Sequence, residues 1–499
     1  MRISSPESDT VNFYKRLYQL PPFRHAAGWQ LLAQATCDIG AFILSAILAN
    51  ILARWLNGPM AEQIFWQGAR GSIFFVLLLG WMFWFGAVKQ AYTRRKPFWA
   101  ELHRSLTAVL IFALLDLALL GLLRVSYSRT WWLAFWGCLL VLQPWGRGLA
   151  RRMLMRLGKW NRHTVIYGVG PNAWQACLAL RSEPALGVIL DGFVAPPELL
   201  TEVDPAIRAS GLPVVEWQGT EDQASSIHEC NNVIAFEAEQ RDYRDACIRQ
   251  LTQYMVRSVR VIPSMRGVPL YGMETSYFFS HEVLQIHLQN NLAKIQWQIL
   301  KRSLDIFLAS IGLFVLSPFF LWIAFLIKRE DGGPVIYHQA RIGKDGKAFK
   351  FYKFRSMVVN AGQILEQWRL NDSPEWLEYK ENNFKLANDP RILKIGRFIR
   401  RTSVDEFPQL FNVLKGDMSL IGPRPLMPSE VVDYGEDISL YGVVRPGMSG
   451  LWQVSGRSNT SFADRIYFDG WYIKNWSPWM DVVIIAKTFK VVLAGSGAY

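Results

Sequence analysis

The sequence has little charge and few cysteines for its length. Only 19% of its 499 residues are charged, whereas 51% are hydrophobic, including 21 Trp and 30 Phe. This composition is too apolar for an ordinary soluble enzyme and indicates membrane-spanning helices. The five cysteines form no C-x-x-C pair, which argues against a zinc site or a disulfide framework. The first residues are polar and lack the apolar region of a cleavable signal peptide.

Acidic residues are also in the minority. The chain has 41 Asp and Glu against 54 Lys and Arg, which leaves a formal net charge of +13. In a membrane protein this excess is explained by cytoplasmic loops that face an anionic lipid surface. No basic run or nucleic-acid-binding motif accompanies the charge, so membrane lipid is predicted as a partner and nucleic acid is not.

Four apolar segments are each close to the length of about 20 residues that crosses a bilayer. They cover residues 30–53, 71–91, 105–123 and 131–149. Lys and Arg are concentrated before the first segment, between the second and third, and after the fourth. Residues 30–150 are therefore predicted to form a four-helix transmembrane bundle with both ends inside, and residues 1–29 a cytoplasmic lead. Asp38 and Asp116 fall within the spans and are expected to pair in the bundle interior rather than to act in function.

Residues 163–265 alternate strand-like and helical stretches, which is typical of a small parallel α/β domain. A strand that runs into Gly168-Val169-Gly170, followed by a helix from about Pro171 to Leu180, forms a partial dinucleotide-binding fingerprint. Asp191 lies at about the spacing of a ribose-binding acid. The domain is nevertheless short, and no hydride-transfer residues are apparent. A bound nucleotide therefore stays open beside the favoured interpretation, a structural or regulatory Rossmann-like domain. The other predicted strands are 188–191, 212–216, 232–236 and 259–263.

Residues 266–300 are predicted to be a connector with an amphipathic helix from His281 to Leu300. The apolar stretch that follows, residues 301–328, is long enough to cross a membrane. Basic pairs flank it at both ends, so the positive-inside rule draws both ends to the cytoplasm. Ser317-Pro318 lies in its middle, where proline removes a backbone hydrogen bond and the serine hydroxyl can satisfy a freed carbonyl. A reentrant helix–break–helix is predicted, with a proline-kinked span as the alternative.

The most informative stretch runs from Thr402 to Leu410 and contains two adjacent carboxylates, Asp405 and Glu406. Pro408 fits only the first turn of a helix, so a helix is predicted to begin here with Asp405 as its N-cap. The carboxylates would then lie at the positive end of the helix dipole, where Asp405 should stay ionised and a phosphate would bind. Because Ser403 and Glu406 also match a capping box, plain helix capping is the alternative.

Cationic side chains on rigid supports accompany this stretch. Arg400 lies just before it, and the turn Gly422-Pro423-Arg424-Pro425 presents one guanidinium. A single arginine in a loop is usually a solvated surface residue. Several arginines on rigid supports around one carboxylate pair instead indicate a binding site. Arginine forks match phosphate geometry, and two carboxylates amid this much positive charge suit a divalent metal together with a phosphate. Further cations in the same region are Lys353 and Arg355 in a strand-like run, Arg445 before Pro446-Gly447, and Arg457 after Ser455-Gly456.

Seven motifs in the last two-fifths of the chain point to one family. They are Lys301-Arg302-x-x-Asp305, Ser317-Pro318, Tyr352-Lys353-Phe354-Arg355, Asp405-Glu406-x-Pro408-Gln409-Leu410-x-Asn412, Lys415-Gly416-Asp417-Met418-Ser419, Gly422-Pro423-Arg424-Pro425 and Pro446-Gly447-x-x-Gly450-Leu451-Trp452-Gln453. The segment from Lys301 to Tyr499 thereby resembles the bacterial sugar transferases called monotopic phosphoglycosyl transferases, which load a hexose-1-phosphate onto a polyprenyl phosphate. The bundle and α/β domain ahead of it resemble the long subclass, and the tail 496–499 resembles members that use galactose.

The resemblance implies a mechanism. Asp405 would be the nucleophile that attacks the β-phosphorus of a UDP-hexose, releasing UMP and leaving an aspartyl phosphosugar, which undecaprenyl phosphate then attacks. Asp405 and Glu406 would hold Mg²⁺, with Glu406 also tuning the pair. The substrate-binding residues that the resemblance implies are Lys353, Arg355, Arg400, Pro423, Arg424, Pro425 and Arg457.

Taken as a whole, the sequence predicts an α + α/β membrane protein. Its parts are a four-helix bundle, a Rossmann-like α/β domain, and a membrane-associated α/β catalytic domain (residues 329–499) with a reentrant helix. The expected function is the first membrane step of O-antigen, capsule or exopolysaccharide synthesis, at the cytoplasmic face of the bacterial inner membrane. The alternatives are a UDP-glucose-using transferase, a glycosyltransferase that releases UDP, and a nucleotide-sensing membrane scaffold. The parts ahead of the catalytic domain look dispensable for chemistry and are predicted to support a homodimer or regulation.

Overall fold

The computed structural model describes residues 6–19, 23–58, 69–256, 258–265, 268, 273–277, 284–287, 291–381, 386, 389–455 and 461–493. The chain divides into two compact units, Met1–Met265 and Arg266–Tyr499.

The first unit contains nine helices and five strands within its described residues. The helices are α1 (Pro6–Tyr18), α2 (Phe23–Asn57), α3 (Ala69–Phe83, continued by a π-helical turn Trp84–Val88), α4 (Phe98–Leu122), α5 (Arg129–Arg156), α6 (Pro171–Arg181), α7 (Pro205–Ala209), α8 (Glu221–Ile227) and α9 (Arg241–Gln253). The strands are β1 (Arg162–Tyr167), β2 (Val188–Ala195), β3 (Val214–Glu216), β4 (Asn231–Ile234) and β5 (Val259–Val261).

The second unit contains nine helices and six strands within its described residues. The helices are α10 (Ile295–Asp331), α11 (Ala361–Leu370), α12 (Pro374–Glu381), α13 (Lys394–Arg401), α14 (Gln409–Lys415), α15 (Ile438–Tyr441), α16 (Leu451–Ser455), α17 (Phe462–Asn475) and α18 (Pro478–Leu493). The strands are β6 (Glu274–Tyr277), β7 (Leu284–His287), β8 (Ile336–Ile342), β9 (Ala348–Phe354), β10 (Ser419–Ile421) and β11 (Gly447–Ser449).

The predicted bundle is present as helices α2 to α5, which pack around an aromatic core. Among the described residues, the helices long and apolar enough to span a membrane are Gly28–Asn57, Arg70–Val88, Phe98–Leu122 and Ile295–Asp331. Three of the four predicted spans are therefore helices of sufficient length and hydropathy to cross a membrane. The fourth, residues 131–149, is helical but is not in this group, because tryptophans, Gln143 and Arg147 make α5 less apolar than its neighbours.

The two intramembrane aspartates are each paired with an arginine inside the bundle, as expected. Both are fully buried. Arg147 Nε donates to Asp38 Oδ1 at 2.8 Å, and Arg70 Nη1 donates to Asp116 Oδ1 at 2.5 Å. Since an unpaired charge is very costly in an apolar interior, these pairs account for both aspartates structurally.

The predicted parallel α/β domain is confirmed. Its five strands lie in the order β3-β2-β1-β4-β5, and every pairing within this sheet is parallel. Helix α1 covers part of this domain, because Phe13, Tyr14 and Leu17 are buried in its core. The stretch predicted only as a lead therefore contains a helix that belongs to the α/β core.

The nucleotide-binding interpretation of this domain is not supported by its contacts. Asp191 is the fourth residue of β2, and its Oδ2 accepts the backbone N–H of Thr164 at 3.1 Å and contacts His163 Nδ1 at 3.0 Å. At the start of α6, Glu237 Oε1 accepts the backbone N–H of Asn172 at 2.5 Å. A carboxylate of the chain thus occupies the helix terminus where a dinucleotide phosphate would bind. These contacts favour the structural or regulatory interpretation.

The helix predicted from His281 to Leu300 is wrong at residues 284–287 and is present from Ile295 onwards. Residues 284–287 form strand β7, which pairs antiparallel with β6, and residues 278–283 and 288–290 lie outside the described residues. Apolar Leu284 and Ile286 alternate with polar Gln285 and His287, and this period of two belongs to a strand rather than a helix. Helix begins only at Ile295.

The stretch predicted as helix–break–helix is one continuous helix. Helix α10 runs through Pro318 without interruption from Ile295 to Asp331. Proline leaves the carbonyl four residues earlier without its usual donor, and Ser317 Oγ donates to that carbonyl, Phe314 O, at 2.7 Å. The predicted role of the serine hydroxyl is confirmed, whereas the predicted interruption of the helix is wrong.

Helix α10 also packs against other elements of the second unit. Ile323 and Ile327 are fully buried with Phe354 and Val404, and Ala309 is buried in a second cluster that includes α14. Between these attachments its large apolar residues are exposed, for example Phe314 at 82%. The helix thus has apolar surface available to lipid, while its residues around Ala309 and around Ile323 to Ile327 pack against the rest of the second unit.

Candidate active site

The carboxylate pair lies on a short 3₁₀ turn, Val404–Glu406, between α13 and α14. Ser403 enters this turn in a left-handed conformation with φ of 57°. Pro408, not Asp405, is the N-cap of α14, so the predicted start of the helix is wrong by three residues. A separate turn forms first, and the proline then stands just outside the helix, where its missing N–H costs nothing.

The capping-box alternative is wrong as well. Ser403 makes no side-chain hydrogen bond to the turn that follows it. Glu406 Oε1 instead accepts a hydrogen bond from Lys353 Nζ at 2.8 Å, and the same Nζ lies 3.4 Å from Asp405 Oδ2. One lysine of β9 therefore bridges both carboxylates, and neither carboxylate is used as a helix cap.

The three side chains shift each other's ionisation. Burial raises the pKa of Asp405, Lys353 opposes this rise, and Glu406 adds to it. Burial acts to lower the pKa of Lys353, but Glu406 and Asp405 outweigh it and raise that pKa above its usual value. The side chain of Asp405 is 14% exposed and that of Glu406 is 38% exposed. A poorly solvated carboxylate held by a fixed cation is suited to nucleophilic attack on phosphorus.

Asn412 fastens the helix after the pair to the strand that carries Lys353. Its side chain is fully buried; Nδ2 donates to Lys350 O at 2.7 Å, and Oδ1 accepts the N–H of Tyr352 at 3.1 Å. Both partners are backbone groups of β9, so Asn412 fixes α14 against the strand edge. The position of Lys353 relative to the turn that contains the carboxylates is thereby fixed. Sequence analysis included Asn412 in a motif but assigned it no role.

The strand β8, which pairs antiparallel with β9, contributes an arginine that sequence analysis missed. Arg341 is 8% exposed and donates to Pro425 O at 3.2 Å. Burial and then the charge of Arg424 lower the pKa of Arg341, whereas the acidic neighbours Glu430 and Glu406 oppose this. Arg341 therefore adds positive charge between the carboxylate pair and the proline-rich turn. A charged residue inside an otherwise strand-like hairpin was the signal that could have revealed it.

The turn Gly422-Pro423-Arg424-Pro425 is held by a close backbone crossing. Strands β10 and β11 pair in parallel. Just after β10, Gly422 N donates to Ser449 O at 2.9 Å and Pro423 O accepts from Gly447 N at 2.8 Å, so the turn is bonded to both ends of β11. A Cβ atom on Gly447 would collide with the backbone of Gly422. These positions need glycine because two backbones touch there.

Arg424 is held on this turn from two sides. Its carbonyl accepts the hydroxyl of Tyr441 at 3.1 Å, and its guanidinium lies 5.5 Å from the ring centroid of Trp452. The predicted rigid presentation of one guanidinium matches this geometry. Pro423 and Pro425 are buried parts of the support.

The remaining predicted site residues fall into three situations. Arg400 is exposed on the last turn of α13 and lies within electrostatic reach of Asp405, whose pKa it helps to lower. Arg355 is buried, pairs through both terminal nitrogens with Asp331, and donates from Nε to Pro334 O. Its guanidinium therefore ties the end of α10 to β9 rather than contacting the carboxylate pair. Arg457 lies outside the described residues.

The motif that opens the catalytic unit anchors α10 to the elements of the site. Arg302 donates to Val413 O at 2.6 Å and Leu414 O at 3.0 Å, which are carbonyls at the end of α14. Asp305 accepts from Ser419 Oγ at 2.8 Å and from Leu420 N at 3.0 Å, both in β10. The apolar helix is thus fixed to the two elements that follow the carboxylate pair and precede the proline-rich turn.

A metal ion at this site would have two protein ligands. Among the described residues there is no group of three or more His, Cys, Asp or Glu side chains that could enclose a metal. Asp405 and Glu406 both reach one cationic atom, Lys353 Nζ, so their oxygens converge on a common point. Mg²⁺ is bound through one or two carboxylates together with waters and substrate phosphates, so this donor set fits Mg²⁺.

Fold and site together define a membrane-associated domain with a carboxylate pair, clustered cations and an apolar helix fixed beside them. Residues 296–495 match the family model "Bacterial sugar transferase". The chain is 42% identical over 473 residues to the undecaprenyl-phosphate galactose phosphotransferase of Salmonella typhimurium, covering 93% of this chain and 98% of that protein. It is 40% identical over 478 residues to a UDP-galactose-lipid carrier transferase of Erwinia amylovora, covering 94% and 97%.

A shorter relative matches about two-fifths of the chain. The exopolysaccharide production protein ExoY of Rhizobium meliloti is 44% identical over 200 residues, which are 40% of this chain and 88% of that protein. Because the similarity to the Salmonella protein spans nearly both chains, the chain belongs to the bacterial sugar transferase family.

Proposed function

We propose that this protein transfers galactose-1-phosphate from UDP-galactose to undecaprenyl phosphate and releases UMP. The observation that carries the proposal is the Asp405–Glu406 pair, bridged by Lys353 and attached through α14 to an apolar helix. This arrangement supports the proposal, because a carboxylate pair and several cationic side chains belong to the same unit as a helix with exposed apolar residues. A lipid phosphate and a soluble nucleotide sugar both have access to such a site.

The transfer proceeds in two in-line displacements. In the first, a carboxylate oxygen of Asp405 forms a bond to the β-phosphorus of the UDP-hexose. The bond from that phosphorus to the bridging oxygen breaks, and UMP leaves with the electron pair. In the second, an oxygen of undecaprenyl phosphate attacks the same phosphorus, and Asp405 leaves as a carboxylate. Each step exchanges one P–O bond for another, so the intermediate is an aspartyl phosphosugar.

Side chains around Asp405 orient the phosphates and stabilise charge. Lys353 bridges the two carboxylates before substrate enters and then contributes its charge to the diphosphate. Arg424 and Arg400 bind phosphate oxygens of the nucleotide, with Arg341 adding positive charge from β8. Arg457 is proposed for the same set from its place in the sequence. Asp405 and Glu406 would hold Mg²⁺, which would supply positive charge against the diphosphate.

The choice of galactose is supported by the names of the two full-length relatives from Salmonella and Erwinia. A transferase of the same family that uses UDP-glucose is the alternative. We place the enzyme in the bacterial inner membrane with its catalytic unit at the cytoplasmic face, because UDP-sugars are cytoplasmic and basic residues flank α10 at both ends. Re-entry of α10 into the membrane, and a homodimer, belong to the same proposal.

Product analysis tests the proposal and separates it from a glycosyltransferase. Purified protein in detergent is given UDP-galactose, undecaprenyl phosphate and Mg²⁺, and the nucleotide released is identified. We expect UMP, a lipid diphosphate sugar, and loss of both in Asp405→Asn. Replacing UDP-galactose by UDP-glucose at equal concentration ranks the sugars. Release of UDP would contradict phosphosugar transfer, and full activity of Asp405→Asn would contradict the assigned nucleophile.

A further inference from the structure

Four arginines gather in the first unit where the helical bundle meets the α/β domain. Arg95 lies in the loop between α3 and α4, Arg151 in α5, Arg162 at the start of β1, and Arg260 in β5. The guanidinium of Arg95 lies 4.2 Å from the ring centroid of the buried Trp160, and that of Arg151 lies 5.6 Å from the same ring. We call this set the arginine junction.

The contacts of Arg95 are all to neutral acceptors. Its Nη1 donates to the carbonyls of Trp160 at 2.5 Å and Leu186 at 2.8 Å, and its Nε donates to Gln30 Oε1 at 2.9 Å. Arg162 Nη2 lies 3.4 Å from the same Gln30 oxygen. Two guanidiniums thus converge on one amide oxygen, an acceptor that carries no charge.

Burial and neighbouring positive charge lower the pKa of two of these arginines. Burial and then the charges of Arg162, Arg260 and Arg151 lower the pKa of Arg95. Burial and then Arg260 lower the pKa of Arg162. Glu101 pairs with Arg151, and the side-chain hydrogen bonds of Arg95 go to uncharged oxygens. A guanidinium does not lose its proton in a protein, so buried positive charge of this kind calls for an anion.

Three buried hydrogen-bond donors at the junction have no acceptor among the described residues. They are Gln30 Nε2, Arg95 Nη2 and Arg151 Nε. Gln30 is fully buried and Arg151 is 7% exposed. Buried donors are nearly always satisfied, so three in one place indicate a missing acceptor. One helical turn further on, Gln34 Oε1 is an unsatisfied acceptor, which a water or a protonated phosphate oxygen would satisfy.

We propose that the arginine junction binds a phosphate group. A tetrahedral oxyanion offers several acceptors at once, and guanidinium forks match its geometry. The site lies level with an end of the bundle, because Gln30 is near the start of the candidate span Gly28–Asn57 and Arg95 lies between two other spans. Arg260 is exposed, so the junction is open to solvent on its side. The phosphate is that of an acidic lipid headgroup or of a soluble phosphate compound, and its binding would fasten bundle and α/β domain together.

The test uses the full-length protein in nanodiscs and follows its thermal unfolding midpoint. One arm replaces part of the phosphatidylcholine by phosphatidylglycerol, and the other adds inorganic phosphate to phosphatidylcholine nanodiscs. A ligand that binds the folded state raises the midpoint with its concentration. Arg260→Gln removes an exposed member of the junction and leaves the buried contacts in place, and Arg95→Lys changes the central fork. Arg249→Gln, at another exposed arginine of the same domain, is the matched control.

We expect at least one probe to raise the midpoint. Arg260→Gln should raise the probe concentration needed for half of the effect about tenfold, as loss of a charge-assisted contact implies. A response to phosphatidylglycerol alone identifies a lipid headgroup, and a response to inorganic phosphate identifies a soluble ligand. The proposal is overturned if neither probe raises the midpoint. It is also overturned if Arg260→Gln, like the control Arg249→Gln, gives the same response as the unchanged protein. Should Arg95→Lys fail to fold, Arg260→Gln decides alone.

Discussion

The bridge from Lys353 to the carboxylate pair makes a specific prediction about pH. Asp405 must be ionised to attack phosphorus, so activity falls as pH drops through its pKa. Burial and Glu406 raise that pKa, and Lys353 holds it down. Replacing Lys353 by Gln removes the opposing charge, so the pKa of Asp405 rises and the acid limb of the rate profile moves to higher pH. Glu406→Gln should move the limb the other way.

The size of the shift follows from the geometry. Lys353 Nζ lies 3.4 Å from Asp405 Oδ2. At that distance unit charges attract by about 1 kcal/mol at the dielectric constant of water and by about 5 kcal/mol at an effective value near 20. One pKa unit corresponds to about 1.4 kcal/mol. Because the lysine side chain is 28% exposed, solvent screens the attraction and the lower energies apply. We therefore expect the acid limb of the rate profile to move by about one to two pH units.

The assay is the pH dependence of kcat/KM for UMP release from UDP-galactose. Lys350→Gln is the matched control, because Lys350 lies on the same strand, is exposed and points to the opposite face. Its acid limb should coincide with that of the unchanged protein. An unmoved limb in Lys353→Gln, or shifts of the same sign in Lys353→Gln and Glu406→Gln, would refute the electrostatic argument even if both variants are slow.

Four further predictions follow from the second unit. Burial raises the pKa of Asp469 from 3.8 to about 7, so the folded state favours the protonated acid and loses stability as the pH rises between these two values. Asp469→Asn should abolish this loss of about 4 kcal/mol. In thermal scans above pH 7 the variant should therefore unfold at a higher midpoint than the unchanged protein. Gly447→Ala should lower the midpoint and activity together, because its Cβ meets backbone, whereas Gly362→Ala, in open space, should change neither. Asn412→Ala should cost about 2–4 kcal/mol by leaving two backbone groups of β9 unsatisfied, and should lower kcat, measured beside urea or thermal unfolding. A chain of residues 266–499 should retain turnover in detergent, and complete loss in a folded truncation would count against a dispensable first unit.

The parallel α/β domain and most of the bundle could be predicted because their patterns are local. Strand and helix alternation located the sheet, and long apolar runs located the helices, since period and length are properties of the sequence itself. The fourth predicted span is helical but falls outside the group of spanning candidates, because its tryptophans and Arg147 lower its hydropathy. Strand β7 was mistaken for helix because a run of four residues gives little periodicity to measure.

The carboxylate pair was located by sequence, but its partners were not. Contacts such as Lys353 to Asp405 and Asn412 to β9 join residues more than fifty positions apart, and only the fold brings them together. Arg355 shows the converse. A cation near the motif in sequence was expected to meet substrate, yet its guanidinium is taken up by Asp331. The role of Pro408 also depended on the turn at Val404–Glu406, which no periodicity marks.

Covalent labelling of the protein distinguishes transfer through an aspartyl phosphosugar at Asp405 from direct transfer to the lipid. Purified protein with Mg²⁺ is incubated with UDP-galactose labelled in the β-phosphate, without any lipid acceptor. We expect label to stay covalently on the protein at Asp405 and UMP to be released in equal amount, and we expect neither with Asp405→Asn. Protein that takes up no label, yet turns over once undecaprenyl phosphate is added, would contradict it, because transfer would then be direct.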